Sequence, residues 1–193
     1  MSYSSEHKLL VRNKIIEAAR VLFNRHGFKD VTIDMIMQQT GLTRGGFYNH
    51  FKSKEALYSE AVSSFLMGRG AQWRFDAGVD TNNPNQEMSK RMIKSYLSSE
   101  HLADLDGQCP MIALPSDVER SNPEVRASYQ RLLESMVSMF ELGMVNQDNK
   151  KRQKALSITA LCVGGMILAK TLPDSALAKE VQNAARLVAN ELT

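Results

Sequence analysis

Apolar residues recur every three or four positions along most of the chain, a spacing that places them on one face of a helix. The pattern begins at Leu9, continues through Ile15, Ile16 and Leu22, and is expected to end at Gly27. Strand-like alternation and internal repeats are absent from the sequence. The spacing therefore predicts an all-α protein of about nine helices.

Cap residues and one glycine divide the following segment into three further predicted helices. Thr32 is a candidate N-cap for a short second helix, and Gly41 then interrupts the apolar pattern. Thr43 begins a third helix of about two turns, and Ser53 caps a fourth that is expected to run to Trp73.

Beyond this unit the sequence predicts one loop and a series of longer helices. Residues 75–86 are rich in Asp, Gly, Asn and Pro, which favour a loop. Asn122 followed by a proline is typical of the start of a long helix. Residues 149–170 are apolar on nearly all sides, and Pro173 is predicted to start the last helix.

The net charge of +3 lies in the N-terminal third of the chain. Residues 1–60 contain nine Lys and Arg against six Asp and Glu, and the rest of the chain is balanced. Excess positive charge in this segment favours an anionic partner.

Cysteine usage and hydropathy predict a cytoplasmic protein with no membrane partner. Cys109 and Cys162 make neither a disulfide framework nor a metal site, and no metal or cofactor is expected. The first ten residues do not resemble a signal peptide, and the longest apolar stretch, residues 155–169, is too short to span a bilayer.

Residues 32–51 meet the requirements of a helix-turn-helix, in which one short helix crosses a DNA backbone and the next enters the major groove. Gly41 supplies the turn, while Leu42 and Phe47 are expected to anchor the second helix of the motif. The side that remains outward is rich in hydrogen-bonding groups and contains no carboxylate: Thr43, Arg44, Gly45, Gly46, Tyr48, Asn49 and His50. A three-helix packing unit that contacts no DNA is the alternative interpretation.

The candidate DNA contacts divide into base contacts and phosphate contacts. Arg44 can donate two hydrogen bonds to guanine, and Asn49 can bind adenine. Tyr48, His50, Lys52 and Lys54 are expected at phosphates, where they would position the protein without reading sequence.

This part of the chain resembles the signature of the TetR/AcrR family of repressors. The resemblance is carried by Thr32-Ile33 and by Gly41-Leu42-Thr43-Arg44-Gly45-Gly46-Phe47-Tyr48-Asn49-His50-Phe51-Lys52-Ser53-Lys54-Glu55-Ala56-Leu57. It implies that Thr43 to Gly46 open the recognition helix, and that Tyr48, His50 and Lys54 touch the DNA backbone. Met37 and Thr40 depart from the family pattern, which usually has a smaller residue at the first position and a less polar one at the second.

The resemblance implies a helix-turn-helix DNA-binding domain in residues 1–53 and a ligand-sensing and dimerisation domain in residues 54–193. It also implies a homodimer on palindromic double-stranded operator DNA. Gly164 and Gly165 would let a partner helix approach, although an internal core helix is the alternative. The candidate dimer contacts are Leu156, Ala160, Val163, Gly164, Ile167, Leu177, Val181, Ala184 and Val188.

The family resemblance also implies a small apolar or reactive inducer bound among the middle helices. Methionine and aromatic side chains supply the candidate pocket, although plain core is the alternative for each of them. The candidates are Phe65, Trp73, Met92, Tyr96, Cys109, Met111, Met136, Met139 and Phe140. Cys109 precedes a predicted helix start, where the helix dipole could lower the pKa of its thiol and make it a redox or electrophile sensor; a small buried residue is the alternative.

Ligand binding is expected to tilt the fourth helix, from Lys54 to Trp73, and so to change the separation of the two recognition helices. A constitutive or architectural DNA-binding protein of the same fold would lack this response. A small helical enzyme is the remote alternative, because the sequence has no phosphate-binding loop or metal-spaced cluster, and His101 has no evident nucleophile partner.

Overall fold

The computed structural model describes residues 5–144, 149–172 and 175–193. Over these ranges all regular structure is helical, which confirms the all-α prediction. The helices are α1 (Ser5–Asp30), α2 (Ile33–Gln39), α3 (Arg44–Phe47), α4 (Lys54–Ser64), α5 (Arg69–Asp76), α6 (Gln86–Tyr96), α7 (Ser99–Ala103), α8 (Pro110–Ala113), α9 (Pro115–Glu119), α10 (Pro123–Gly143), α11 (Lys151–Lys170) and α12 (Ala176–Glu191). Pro173, the predicted start of the last helix, lies outside the described residues.

Three of the predicted caps form where the sequence places them, whereas Thr43 makes no side-chain cap bond and the helix that it begins, α3, has one turn instead of the predicted two. Thr32, Ser53 and Asn122 each accept a hydrogen bond from the backbone N–H three residues ahead, at 3.2, 3.1 and 3.0 Å. Gly27 interrupts α1 with φ 76° and ψ 171°, a conformation that side chains rarely adopt. The regular part of α1 therefore ends at Gly27, as predicted, and a short helical segment continues to Asp30.

The prediction of about nine helices is too low for the described part of the chain, where twelve helical segments are present. Three of them, α7, α8 and α9, have only four or five residues each and lie between residues 99 and 119. A helix of one turn contains too few apolar positions to reveal a period, and therefore hydrophobic spacing does not detect it.

The predicted fourth helix from Lys54 to Trp73 is wrong, because the chain turns between α4 and α5. Gly70 N donates a 2.7 Å hydrogen bond to Phe65 O, and Arg74 Nη2 donates one of 2.8 Å to Leu66 O. A Cβ at Gly70 would lie 2.7 Å from Phe65 O, so this close approach requires glycine.

Two clusters of buried apolar side chains organise the described residues. The first joins α1 to α4 and also receives Val118 of α9 and Val125 of α10. The second lies among α6, α8, α10, α11 and α12. Helix α4 places Leu57 in the first cluster, while Phe65, at its end, belongs to the second. Both clusters therefore share α4. None of the described helices combines the length and the apolar character that crossing a bilayer requires.

Candidate nucleic-acid interface and internal cavity

Helices α2 and α3 meet at a tight turn in which Gly41 has φ 69°. Leu42 N donates a 2.9 Å hydrogen bond to Met37 O, which closes the turn. Phe47 is completely buried and lies 5.6 Å, ring to ring, from the buried Phe51. The prediction that Leu42 is a second anchor is wrong, because its side chain is 36% exposed at the turn. Phe47 with Phe51 holds α3 in place.

Residues 43–50, which we call the α3 tip, lie on the surface around the buried Phe47. Five of its members are exposed, Thr43, Arg44, Gly45, Tyr48 and Asn49, whereas Gly46 and His50 are half-buried. A Cβ at Gly45 would meet nothing within 4 Å, whereas one at Gly46 would lie 3.7 Å from Met37 Cε. Gly45 therefore faces outward and Gly46 faces back toward Met37, the residue that departs from the family pattern.

A carboxylate lies beside the α3 tip, although the outward set itself has none. Arg44 Nη1 is 2.7 Å from Asp34 Oδ2 of α2, and both side chains are exposed. The charge of Asp34 raises the pKa of Arg44. The outward set itself has no carboxylate, but a guanine contact requires Arg44 to leave Asp34.

Lys54 is turned inward instead of toward the surface expected to face phosphate. Its Nζ donates hydrogen bonds of 2.8 Å to Phe28 O and of 2.8 Å to Val31 O. The ammonium also lies 4.2 Å from the centre of the Phe28 ring, and burial lowers the pKa of Lys54. The geometry gives Lys54 a structural contact to the α1–α2 connection, while Lys52 is exposed.

His50 is a neutral member of the α3 tip. Its Nδ1 is buried without a hydrogen-bond partner. Burial lowers the pKa of His50, and the positive charges of Lys8 and Arg12 lower it further. The neutral form of the His50 ring is therefore favoured in the free chain.

A cavity of about 220 Å³ lies between α4–α5, α6, α8 and α10. Seven of the nine predicted pocket residues line it: Phe65, Met92, Tyr96, Cys109, Met111, Met136 and Met139. The other two do not. Trp73 packs behind the cavity wall, with its ring centre 4.8 Å from that of His101, and Phe140 is completely buried in the core.

Several residues that line this cavity were not predicted from the sequence. Arg74 is the important one, because among the described residues it is the only charged side chain of the lining. Its position depends on the turn between α4 and α5, which periodicity did not predict. Two larger surface grooves, of about 730 and 700 Å³, are lined mainly by polar side chains such as Lys90 and Arg131.

Of the two interpretations of Cys109, the structure favours the small buried residue over the redox or electrophile sensor. The thiol is buried, and burial raises its pKa to about 11. Helix α8, which follows it, has only four residues, so its dipole is too short to offset the loss of hydration. At neutral pH Cys109 is a protonated wall residue of the cavity. Cys162 is also buried, as predicted.

Helices α11 and α12 pack against each other and leave an apolar outer face. A Cβ at Gly165 would lie 2.9 Å from Ala185 Cβ, whereas one at Gly164 would meet nothing within 4 Å. Gly165 therefore permits internal packing, which corrects the prediction that both glycines face a partner. On the outer face, Leu156, Ala160, Leu177, Ala184 and Val188 are exposed, and Val163, Gly164, Ile167 and Val181 are half-buried.

Comparisons with known proteins show that the segment containing the α3 tip is similar to a described family. Residues 15–61 match the model of the bacterial regulatory proteins of the tetR family. The transcriptional repressor KstR2 of Mycobacterium tuberculosis is 30% identical over 90 residues, which cover 47% of this chain and 44% of that protein. The chain thus spans less than half the length of this relative, which is named as a transcriptional repressor.

Solved structures extend the likeness of fold to nearly the whole chain. A TetR transcriptional regulator from Chloroflexus aurantiacus has a TM-score of 0.76 and 23% identity, with 94% of this chain and 95% of that chain covered. FadR from Bacillus subtilis, in complex with stearoyl-CoA, has a TM-score of 0.68 and 14% identity, with 94% and 98% covered. Residues 15–61 are thus similar to the bacterial regulatory proteins of the tetR family, and the fold of nearly the whole chain is like that of these solved structures.

Proposed function

We propose that the chain is a homodimeric transcriptional repressor that binds palindromic operator DNA through α2 and α3. A small molecule that enters the 220 Å³ cavity releases it from the operator. The observation that carries the proposal is the α3 tip, where exposed polar side chains surround a buried Phe47 anchor. The cytoplasm, which holds the operator, is its place of action.

The α3 tip supplies both kinds of DNA contact. Asn49 is exposed and can bind an adenine edge, and Arg44 can bind guanine once it leaves Asp34. Lys52 and Tyr48 are exposed beside them and would position the protein on phosphates.

The outer face of α11 and α12 is the proposed dimer interface. Palindromic DNA presents two half-sites about 34–36 Å apart, which a two-fold dimer matches. A two-fold interface brings the same patch of both protomers together. Leu156, Leu177 and Val188 would each become buried there, while in the single chain they are 44–51% exposed.

Helix α4 offers a direct route from the cavity to the DNA-binding helices. Phe65 at its C-terminal end lines the cavity. Lys54 at its N-terminal end holds the carbonyl groups of Phe28 and Val31, just before α2 begins. A ligand that displaces Phe65 would shift α4 and, through Lys54, the position of α2 and α3.

The loop at residues 104–109 offers a second connection between the same parts. Arg20 and Asn24 of α1 donate hydrogen bonds to the backbone carbonyls of Asp106 and Gln108. Lys170 of α11 donates a 2.7 Å hydrogen bond to Gln108 Oε1. The loop ends at the cavity wall, so it joins that wall to both the DNA-binding unit and the proposed dimer helix.

Selection of bound sequences from random double-stranded DNA tests the proposal. We expect a palindromic sequence bound by two chains, with an affinity that falls steeply as salt is raised. A subsequent screen of small molecules against that complex should find compounds that release the DNA. Binding without sequence preference would refute the repressor function. Sequence-specific binding that no cavity ligand alters would instead support a constitutive DNA-binding protein.

A further inference from the structure

Arg74 is an unusual residue in the wall of an otherwise apolar cavity. It is half-buried, and burial lowers its pKa, which means that its charge is poorly hydrated. Its Nη2 donates one hydrogen bond, of 2.8 Å, to Leu66 O. In the described part of the chain no carboxylate forms an ion pair with it, and none lines the cavity. A poorly hydrated guanidinium without a counter-ion is costly unless an anion joins it.

Tyr96 presents a second unused polar group to the same cavity. The side chain is 2% exposed, and its hydroxyl makes no hydrogen bond. Burial raises the pKa of Tyr96, so the hydroxyl remains protonated and can donate. Trp73 and His101 each pack against the Tyr96 ring in a T-shaped arrangement and hold it in place. A buried hydroxyl without a partner is uncommon in native proteins and calls for a ligand or water.

Arg74 and Tyr96 line the same cavity as Cys109. Arg74 and Tyr96 both act on the pKa of the Cys109 thiol, and each lowers it. The Tyr96 hydroxyl lies beside the thiol but does not meet the geometry of a hydrogen bond with it. The wall of the cavity therefore contains both a cation and a hydroxyl donor, while Phe65 and methionines of α6, α8 and α10 cover much of the rest.

The volume of the cavity limits the size of its occupant. An apolar cavity of about 150 Å³ holds one benzene molecule. In proportion, 220 Å³ holds about nine non-hydrogen atoms. Five methionines adapt the wall to ligands of different shape, so a slightly larger molecule would also fit. The cavity opens to the surface beside the exposed Met67.

We propose that the cavity binds a small aromatic or branched carboxylic acid. Its carboxylate accepts hydrogen bonds from the guanidinium of Arg74 and the hydroxyl of Tyr96, and its apolar body lies against Phe65 and the methionines. A guanidinium binds a carboxylate through two parallel hydrogen bonds, which gives the pair both strength and orientation. This inference rests on the proposed function only in taking the cavity as the ligand site.

Calorimetric titration of the full chain with matched pairs of acids and neutral analogues tests the inference. Benzoate and phenylacetate are compared with benzamide and ethylbenzene, which have similar size and no negative charge. We expect each acid to bind at least about tenfold more tightly than its neutral analogue. Equal affinity within the pairs, or no binding of either acid, would overturn the inference.

Two variants and a control assign the effect to the named groups. Arg74→Gln should remove the preference for acids while benzamide still binds, and Tyr96→Phe should weaken acid binding a few-fold. Arg126→Gln removes an exposed arginine of α10, outside the cavity, and should change nothing. An acid preference that survives in Arg74→Gln would contradict the assignment. If Arg74→Gln fails to fold, the comparison of each acid with its neutral analogue on the wild-type chain tests the inference by itself.

DNA binding is measured separately, so the two proposals fail independently. Sequence-specific DNA binding without acid binding would refute the carboxylate inference and leave the repressor function intact. Acid binding by a chain with no sequence-specific DNA binding would refute the repressor function and leave the carboxylate inference intact.

Discussion

Replacement of Lys54 by methionine separates a structural role for this residue from a role at DNA phosphates. Methionine keeps the unbranched stem and a similar helix propensity but removes the ammonium. The variant loses two 2.8 Å hydrogen bonds, to Phe28 O and Val31 O, and the contact with the Phe28 ring. Hydrogen bonds from a charged donor contribute about 1.5–3 kcal/mol each. Because water reaches part of the site, we expect a net loss of roughly 2 kcal/mol in the free energy of unfolding.

Thermal unfolding at fixed protein concentration measures this loss. For a chain of this length, 1 kcal/mol corresponds to about 2–4 °C in Tm, so Lys54→Met should unfold roughly 4–8 °C below the wild type. Lys52→Met is the matched control, because Lys52 is exposed. It should leave Tm unchanged and reduce the slope of log affinity against log salt by about one for each protomer.

The opposite pattern would refute the reasoning. If Lys54→Met keeps the wild-type Tm and reduces the salt slope, Lys54 is a phosphate contact and its inward position is not maintained on DNA. A Tm loss in Lys52→Met as large as that in Lys54→Met would show that the contrast between the two lysines has no structural basis.

Three further predictions follow from individual contacts. Asp34→Asn should raise operator affinity about two- to fivefold in a fluorescence anisotropy titration, because it frees Arg44 and removes a negative charge near phosphate; an unchanged or lower affinity would contradict this. Burial lowers the pKa of His101 below its ordinary value, so the unfolded chain binds the proton more readily, and stability should fall as the pH decreases below about 6.5. Measured by urea unfolding across that range, the free energy of unfolding should depend less on pH in His101→Gln than in the wild type. Identical pH dependences would refute the assignment of this effect to His101. Gly164→Glu should weaken dimerisation in analytical ultracentrifugation while the monomer stays folded, whereas Gly165→Glu should disrupt the fold itself; a stable Gly164→Glu dimer would exclude the α11–α12 outer face.

The helix-turn-helix could be predicted because its signals are local. Thr32 accepts a hydrogen bond from the backbone N–H three residues ahead, and Gly41 has the positive φ that the turn requires. Phe47, within the same motif, is buried. Each of these features is encoded within a few residues, and therefore periodicity and cap rules detect it.

The features that the sequence did not reveal depend on distant contacts. Lys54 bonds to carbonyl groups 23 and 26 residues away, and its inward direction follows from how α1 packs on α4. Arg74 reaches the cavity only because the chain turns after Phe65. The high pKa of Cys109 reflects burial by surrounding helices, which outweighs the short helix that follows it. Hydrophobic spacing predicts which face of a helix is buried, but it does not predict which residues that face contacts.

The sequence preference of an Asn49 variant tests the central claim most directly, because that side chain is exposed at the α3 tip and makes no contact that the fold requires. Selection from random double-stranded DNA is carried out in parallel with wild type, Asn49→Ala and Lys52→Ala. If the α3 tip reads bases, Asn49→Ala relaxes the preference at one symmetric pair of positions, at a cost of about 1–3 kcal/mol for the preferred base pair, while Lys52→Ala lowers affinity evenly and keeps the same sequence. An unchanged preference in Asn49→Ala, together with a dimer that still binds the wild-type operator at full affinity, would contradict the claim.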